Sequence, residues 1–114
     1  MENNEFWNLL DKLVAESEIV IDRPKGSTHP KWPNNVYELD YGYLKNTSSM
    51  DGEGIDVWVG SNPEKTITAI ICIVDYFSRD SEIKILVGCT DKEKEIVYKF
   101  HNKYDSMKGI LIER

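Results

Sequence analysis

Positively charged residues are scarce in this sequence. It has 14 Lys and Arg against 20 Asp and Glu, so the formal net charge at pH 7 is −6. Nucleic acids and acidic membranes attract proteins through basic surfaces, so this balance argues against general binding to either. A small polyanion that arrives together with a divalent cation remains compatible with an acidic protein.

Long apolar runs are also absent. No segment approaches the length needed to span a bilayer, and the first residues, which include Glu2 and Glu5, lack the basic and then apolar pattern of a signal peptide. The two cysteines, Cys72 and Cys89, lie in apolar stretches without partners at metal-ligand spacing, so we expect buried, reduced thiols. These absences predict a cytoplasmic protein. The length predicts a single domain over residues 1–114.

Helical spacing of apolar residues predicts a first helix over residues 4–16, with Asn3 or Asn4 as its cap. We expect this helix to cover one end of the core. Its apolar positions are Phe6, Leu9, Leu10, Leu13 and Val14.

A capping-box pattern, Thr90 with Glu93, predicts a second helix near residues 91–104. Between the helices the chain is rich in β-branched residues bounded by Gly, Pro, Asn or Ser, which predicts strands. Residues 24–35, with three prolines, form a predicted loop. The predicted strands cover residues 19–22, 55–59, 66–74 and 83–89, with a short final one at 108–112. The chain is therefore predicted to be α+β.

The segment D-G-E-G-I-D sets three carboxylates, Asp51, Glu53 and Asp56, close together with glycines between them. If the segment is a turn that enters a strand, the three side chains can converge. A cation would neutralise their repulsion, and hard oxygen ligands suit Mg²⁺ or Mn²⁺. A solvated acidic turn is the alternative interpretation.

The order Tyr37, Tyr41-Gly-Tyr, Thr, then D-G-E-G-I-D-V resembles the signature region of soluble family I inorganic pyrophosphatases. One family Asp is replaced by Glu53 and the family Pro by Gly54, while the spacing is intact. The resemblance implies an OB-like β-barrel, closed or partly open, flanked by two helices. It implies that Asp51, Glu53 and Asp56 bind activating metal ions, and that Tyr37 and Tyr41 supply hydroxyls at the site.

Weaker stretches extend the resemblance. Asp22 stands at a family Glu in I-V-I-D-R-P, and Lys31 lands on a phosphate-binding lysine in the same register. In S-E-I-K-I-L-V-G, Glu82 matches a metal-binding acid and Lys84 the catalytic lysine. A family Tyr-Lys pair that binds substrate appears transposed, as Lys103-Tyr104.

The chain also departs from the family pattern. Between Lys31 and Tyr37 it is too short for the hairpin that carries a family glutamate and a phosphate-binding arginine. Arg23, Lys25 and Arg79 are the candidates for the missing cation. A further family acid before Glu82 corresponds to either Asp75 or Asp80.

The resemblance implies hydrolysis of pyrophosphate to two phosphates by a metal-activated water, with Mg²⁺ or Mn²⁺ as cofactor. We assign Asp56 as general base, with Tyr41 and Lys84 also catalytic. Two alternatives are a non-catalytic metal- and phosphate-binding protein, and a hydrolase of another phosphoanhydride such as a nucleotide. A homo-oligomer is left open.

Several of these residues have simpler interpretations. Lys84 alternates with Ile83 and Ile85, as the polar face of a strand would. Lys103 and Tyr104 fit ordinary helix-surface and core positions. We predict no site role for the two histidines, because His101 is far in sequence from any pattern typical of zinc and His29 falls in a solvated loop.

Overall fold

The computed structural model describes residues 3–114, which form a mixed six-stranded sheet and two helices. No helix in this range is long and apolar enough to cross a membrane. In chain order the elements are α1 (Asn4–Ala15), β1 (Ile19–Arg23), β2 (Asp40–Leu44), β3 (Asp56–Val59), β4 (Ile67–Asp75), β5 (Asp80–Val87), α2 (Asp91–Phe100) and β6 (Met107–Glu113).

The sheet has the strand order β1-β2-β3-β5-β4-β6 and does not close. Neighbouring strands are antiparallel except β3 and β5, which are parallel. The α+β prediction is confirmed, and of the two predicted forms of the barrel the open one is found.

The two faces of the sheet bury two separate clusters. On one face, Leu44, Val57 and Ile85 pack with the apolar side of α1. On the other, Trp58 and Leu86 pack with Val97 and Phe100 of α2. Because side chains alternate between the faces of a strand, neighbouring residues of β3 and β5 belong to different clusters.

Helix α1 begins as predicted, since the Asn3 side chain accepts a hydrogen bond from the backbone N–H of Phe6. Its apolar face is rotated from the predicted one. Trp7 packs on the core with Leu10, whereas Phe6 and Leu9 are exposed. Trp7 lies one turn before Leu10 and so points to the same side of the helix.

Helix α2 has the predicted capping box, in which the Thr90 side chain bonds the Glu93 N–H and the Glu93 side chain bonds the Thr90 N–H. It ends at Phe100, earlier than predicted. Asn102 follows the helix and donates to the carbonyls of Tyr98 and Gly109, which joins the end of α2 to β6. This contact turns the chain out of the helix before residue 104.

Strand β2 was not among the predicted strands. It pairs with β1 on one side and β3 on the other, so its polar and aromatic sequence is held in the sheet by neighbours. Gly42 is required there because a Cβ would lie 1.8 Å from the carbonyl oxygen of Val20.

Residues 24–39, predicted as a loop in their first part, fold back on themselves. The Gly26 N–H donates to the Tyr37 carbonyl at 2.7 Å, and Thr28 forms an antiparallel bridge with Val36. This short folded segment connects β1 to β2, in the place where the family pattern has a longer hairpin.

The cysteines are free, as predicted, but they differ in burial. Cys89 is buried, and its burial raises the pKa of the thiol to about 12. Cys72 is partly exposed, so the expectation of two buried thiols is wrong for this residue.

Candidate active site

A buried lysine lies at the centre of the site. The Lys84 ammonium on β5 donates to Asp56 Oδ2 at 2.6 Å and to the Tyr41 hydroxyl oxygen at 2.6 Å, and it also forms an ion pair with Glu82. The Tyr41 hydroxyl donates to the same Asp56 oxygen at 2.7 Å. These four residues come from three strands and form one hydrogen-bonded group, which we call the lysine cluster.

The sheet register explains how the lysine cluster assembles. Tyr41 on β2 is opposite Trp58 on β3, while Tyr43 is opposite Asp56, so these side chains share one face. Val57 pairs with Ile85 across the parallel strands, which sets Asp56 beside Lys84. Alternation along β5 then turns Glu82 to the same face as Lys84.

Burial and charge together fix the protonation of the lysine cluster. Burial acts to lower the pKa of Lys84, but Asp56 and Glu82 outweigh it and the pKa is raised, so the ammonium persists. Burial, reinforced by the Asp56 charge, raises the pKa of Tyr41 well above its usual value. Burial also raises the pKa of Glu82, against the effect of Lys84. Tyr41 and Lys84 are therefore hydrogen-bond donors at any ordinary pH.

A second group of carboxylates adjoins the lysine cluster. Oxygens of Asp51, Asp80 and Glu82 all lie within 4.8 Å of one another. We call these three residues the acid cluster. Asp51 comes from the turn before β3, where its Oδ1 accepts from the Ser49 hydroxyl and the Glu53 N–H. These hydrogen bonds lower the pKa of Asp51, so this carboxylate is ionised near neutral pH.

The acid cluster is a chemically suitable place for a hard divalent cation. Its donors are all carboxylate oxygens from neighbouring chain segments, which suits Mg²⁺ or Mn²⁺. Glu82 Oε2 is buried and has no hydrogen-bond partner among the described residues. A buried carboxylate oxygen without a donor is costly, and a cation would satisfy it.

Aromatic rings form one wall of the site. The ring centroids of Tyr37 and Tyr41 lie 5.2 Å apart, and those of Tyr41 and Trp58 lie 4.7 Å apart in an edge-on arrangement. Trp58 Nε1 donates to His101 Nε2 at 3.0 Å, so His101 has a structural contact behind the wall. Tyr37 itself is buried within this wall.

Three residues proposed as ligands or substrate contacts lie outside both clusters. The Glu53 side chain is exposed, while its backbone N–H donates to Asp51 Oδ1 and its carbonyl accepts from the Ser49 N–H. Asp22 is exposed and pairs with Arg23 at 3.8 Å. Lys31 is exposed in the loop, where its N–H donates to His29 Nδ1 at 3.0 Å.

Lys103 and Tyr104, the pair that is transposed relative to the family, contact the loop and neither the lysine cluster nor the acid cluster. Lys103 Nζ donates to the Asn34 carbonyl at 3.4 Å, and the Tyr104 hydroxyl donates to Asn35 Oδ1 at 2.9 Å. Together with the end of α2 this loop borders an open groove of about 530 Å³, which Lys84 does not line. The groove is separate from the chemistry of the lysine cluster.

Asp80 is the residue that sequence reasoning left unresolved. It pairs with Asp75 at the start of β5, and only Asp80 belongs to the acid cluster. A strand that starts at Asp80 rather than Ile83 places Asp80, Glu82 and Lys84 at alternate positions, hence on one face. This alternation is visible in the sequence and could have identified Asp80 as the acid that joins Glu82.

Comparison with known proteins identifies a family and a shared fold. The family model described as inorganic pyrophosphatase matches residues 13–111. A search of curated proteins found no match.

A crystal structure of an inorganic phosphatase from Anaplasma phagocytophilum is similar, with a TM-score of 0.57. It is 15% identical over 83% of this chain and 81% of that one. At this identity the likeness shows a shared fold.

Proposed function

This chain belongs to the inorganic pyrophosphatase family, and we propose that it hydrolyses pyrophosphate to two phosphates with Mg²⁺ as cofactor. One observation carries the proposal: Lys84, Asp56 and Tyr41 form a buried hydrogen-bonded group beside three convergent carboxylates. The first group offers proton acceptance and phosphate contacts, and the second offers cation binding.

Asp51, Asp80 and Glu82 would hold the divalent cation. When bound, such a cation neutralises phosphoryl oxygens and makes a water molecule more acidic. Mn²⁺ would meet the same oxygen ligands.

Asp56 is the proposed general base. Its Oδ2 already accepts hydrogen bonds from Tyr41 and Lys84, which orient the carboxylate. The attacking water transfers a proton to Asp56 as its oxygen bonds to one phosphorus. The bridging P–O bond breaks, and the second phosphate departs with that electron pair.

Lys84 and Tyr41 are the proposed donors to phosphoryl oxygens. Both stay protonated at neutral pH for the reasons of burial and charge given above, so they can donate throughout the reaction. Lys84 lies between two carboxylates, and a phosphoryl oxygen would replace one of those partners. Preorganised donors of this kind stabilise developing charge.

Phosphate release from pyrophosphate by purified protein tests the proposal. We expect turnover with Mg²⁺ or Mn²⁺ and none after chelation by EDTA. ATP and pyrophosphate should be assayed side by side, because preference for ATP would favour the nucleotide hydrolase. Tight pyrophosphate binding without phosphate release would favour the non-catalytic binding protein and contradict the proposal.

A further inference from the structure

The charge balance of the site leaves a polyanionic substrate short of cationic partners. Four carboxylates, from Asp51, Asp56, Asp80 and Glu82, surround the Lys84 ammonium or adjoin it. Lys84 is already engaged by two of them. A divalent cation held by the acid cluster would neutralise the nearer phosphoryl group of a diphosphate, so the farther phosphoryl group would need a different cationic partner.

A β-bulge brings one candidate to the right face. Ile21 pairs with Gly42 and Arg23 with Tyr41, so Asp22 is an extra residue in β1. Bulges increase local twist and redirect side chains, often beside active sites. Residues that pair across antiparallel strands share a face, so Arg23 lies on the face of Tyr41, whose hydroxyl contacts Lys84.

Tyr37 packs beside Tyr41, on the side of the site that Arg23 faces. The Tyr37 ring packs 5.2 Å from the Tyr41 ring, which Lys84 also approaches at 5.2 Å. Burial raises the pKa of Tyr37, and both Arg23 and Lys84 act against that rise. Arg23 and Lys84 therefore both act on the Tyr37 hydroxyl, and Arg23 is the more exposed of the two cations.

Arg23 is also weakly engaged. Its Nη1 donates to the Asp22 carbonyl at 3.2 Å and lies 3.8 Å from the Asp22 carboxylate, with a third of the side chain exposed. Partly exposed ion pairs of this kind contribute little to stability. A phosphoryl group can take over these hydrogen bonds at little cost.

We propose that Arg23 is a substrate-binding residue that contacts the phosphoryl group of a diphosphate farther from the acid cluster. The inference rests on the proposed function and selects Arg23 from the three candidate cations, Arg23, Lys25 and Arg79, by its place in the sheet. A guanidinium binds phosphate through two parallel N–H donors, which an ammonium cannot do. Arg23 and Lys84 would then bind the two ends of the substrate across the Tyr37 and Tyr41 hydroxyls.

The test measures binding and turnover separately. Isothermal titration with imidodiphosphate, a diphosphate that resists hydrolysis, is carried out in Mg²⁺ on wild type, Arg23→Gln and Arg23→Lys. Loss of a charge-assisted hydrogen bond costs about 1.5–3 kcal/mol, so Arg23→Gln should weaken binding about tenfold to a hundredfold. Arg23→Lys should recover only part of that loss, because it keeps the charge but not the paired donors.

Arg114→Gln is the matched control, since it removes the same charge where the guanidinium pairs with Asp11 of α1. It should change imidodiphosphate binding by less than about twofold. Stabilisation by Mg²⁺ alone should be unchanged in Arg23→Gln, because Arg23 is not a metal ligand. Circular dichroism verifies the folding of each variant.

Binding within twofold of wild type in Arg23→Gln overturns the inference, and so does a wild type that does not bind imidodiphosphate. A parallel assay of phosphate release separates the two proposals. A wild type that binds imidodiphosphate through Arg23 but releases no phosphate leaves the binding role intact and refutes hydrolysis. A selective rise in KM for pyrophosphate in Arg23→Gln supports both.

Discussion

The Lys84 ammonium lies 2.6 Å from the Asp56 carboxylate, across the parallel strands β3 and β5. The lysine is buried and the carboxylate about a quarter exposed, so the pair is partly withdrawn from water. A buried charge that loses its partner is strongly destabilising. The same contact therefore supports the fold and supplies the proposed chemistry.

Lys84→Met should destabilise the protein as well as inactivate it. It leaves Asp56 and Glu82 without their common cation, and breaking a buried pair in this way costs about 3–5 kcal/mol. Urea unfolding followed by circular dichroism measures the loss. Lys99→Met is the control, because Lys99 is an exposed helix residue paired with Glu95, and it should cost less than about 1 kcal/mol. Equal losses would contradict the structural role of Lys84.

Mg²⁺ should raise the melting temperature through the acid cluster. At a hundredfold excess over Kd, a ligand of the folded state contributes about 2.7 kcal/mol, which corresponds to a shift of several degrees in a chain of this size. Asp51→Asn and Asp80→Asn should reduce the shift, measured by differential scanning calorimetry. Asp105→Asn, an exposed acid outside the cluster, should retain it. A full shift in Asp80→Asn would remove Asp80 from the ligand set.

His101 should make stability depend on pH between neutrality and pH 5. Burial, assisted by Lys84, lowers the pKa of His101 from 6.5 to about 3. Below pH 6.5 the unfolded chain takes up a proton that the folded protein does not, so the free energy of unfolding falls as pH decreases. Above pH 6.5 His101 is neutral in both states and imposes no such loss. Between pH 6.5 and pH 5 the free energy of unfolding should fall by about 2 kcal/mol.

Chemical denaturation of His101→Gln and wild type at pH 7 and pH 5 checks this dependence. The glutamine keeps an acceptor for Trp58 Nε1 but has no proton to gain, so the difference between the two pH values should shrink by about 2 kcal/mol. His29→Gln should keep most of the wild-type difference, because His29 lies in the loop and is only partly buried. An unchanged difference in His101→Gln would refute the assignment.

Gly42→Ala should be one of the most damaging small substitutions in the sheet. The new methyl group would lie 1.8 Å from the Val20 carbonyl oxygen, so β1 and β2 must separate. Gly26→Ala provides a comparison, since it has space but a positive φ of 92°. Thermal unfolding should show the larger loss in Gly42→Ala, and the opposite order would mean that backbone strain outweighs the steric contact.

Local features of the sequence predicted much of the fold. The capping box of Thr90 and Glu93 marks the start of α2 because it needs only neighbouring residues. Strand β2 was missed, since its sequence D-Y-G-Y-L lacks a β-branched run and its stability comes from pairing on both sides. Phe6 and Leu9 match helical spacing as well as Trp7 does, so the buried face of α1 depends on the sheet it meets.

For the candidate site, the sequence indicated which side chains take part but not which of them contact one another. Alternation along β5 is visible in the sequence, but the assembly of Asp56 with Lys84 depends on the parallel register of two distant segments. The choice between Asp75 and Asp80 depends likewise on which residues of β4 and β5 pair. Arg23 reaches the face of Tyr41 only through a bulge, which no local pattern of β1 announces.

Phosphate release by Asp56→Asn, measured beside Glu53→Gln, tests the proposed role of the lysine cluster most directly. Both substitutions neutralise a carboxylate of the same motif, but only Asp56 contacts Lys84 and Tyr41. With both variants folded and Mg²⁺ present, we expect Asp56→Asn to lose at least about a hundredfold in kcat, as for a general base. Glu53→Gln should lose less than about tenfold. Equal activity of Asp56→Asn and wild type would contradict the account.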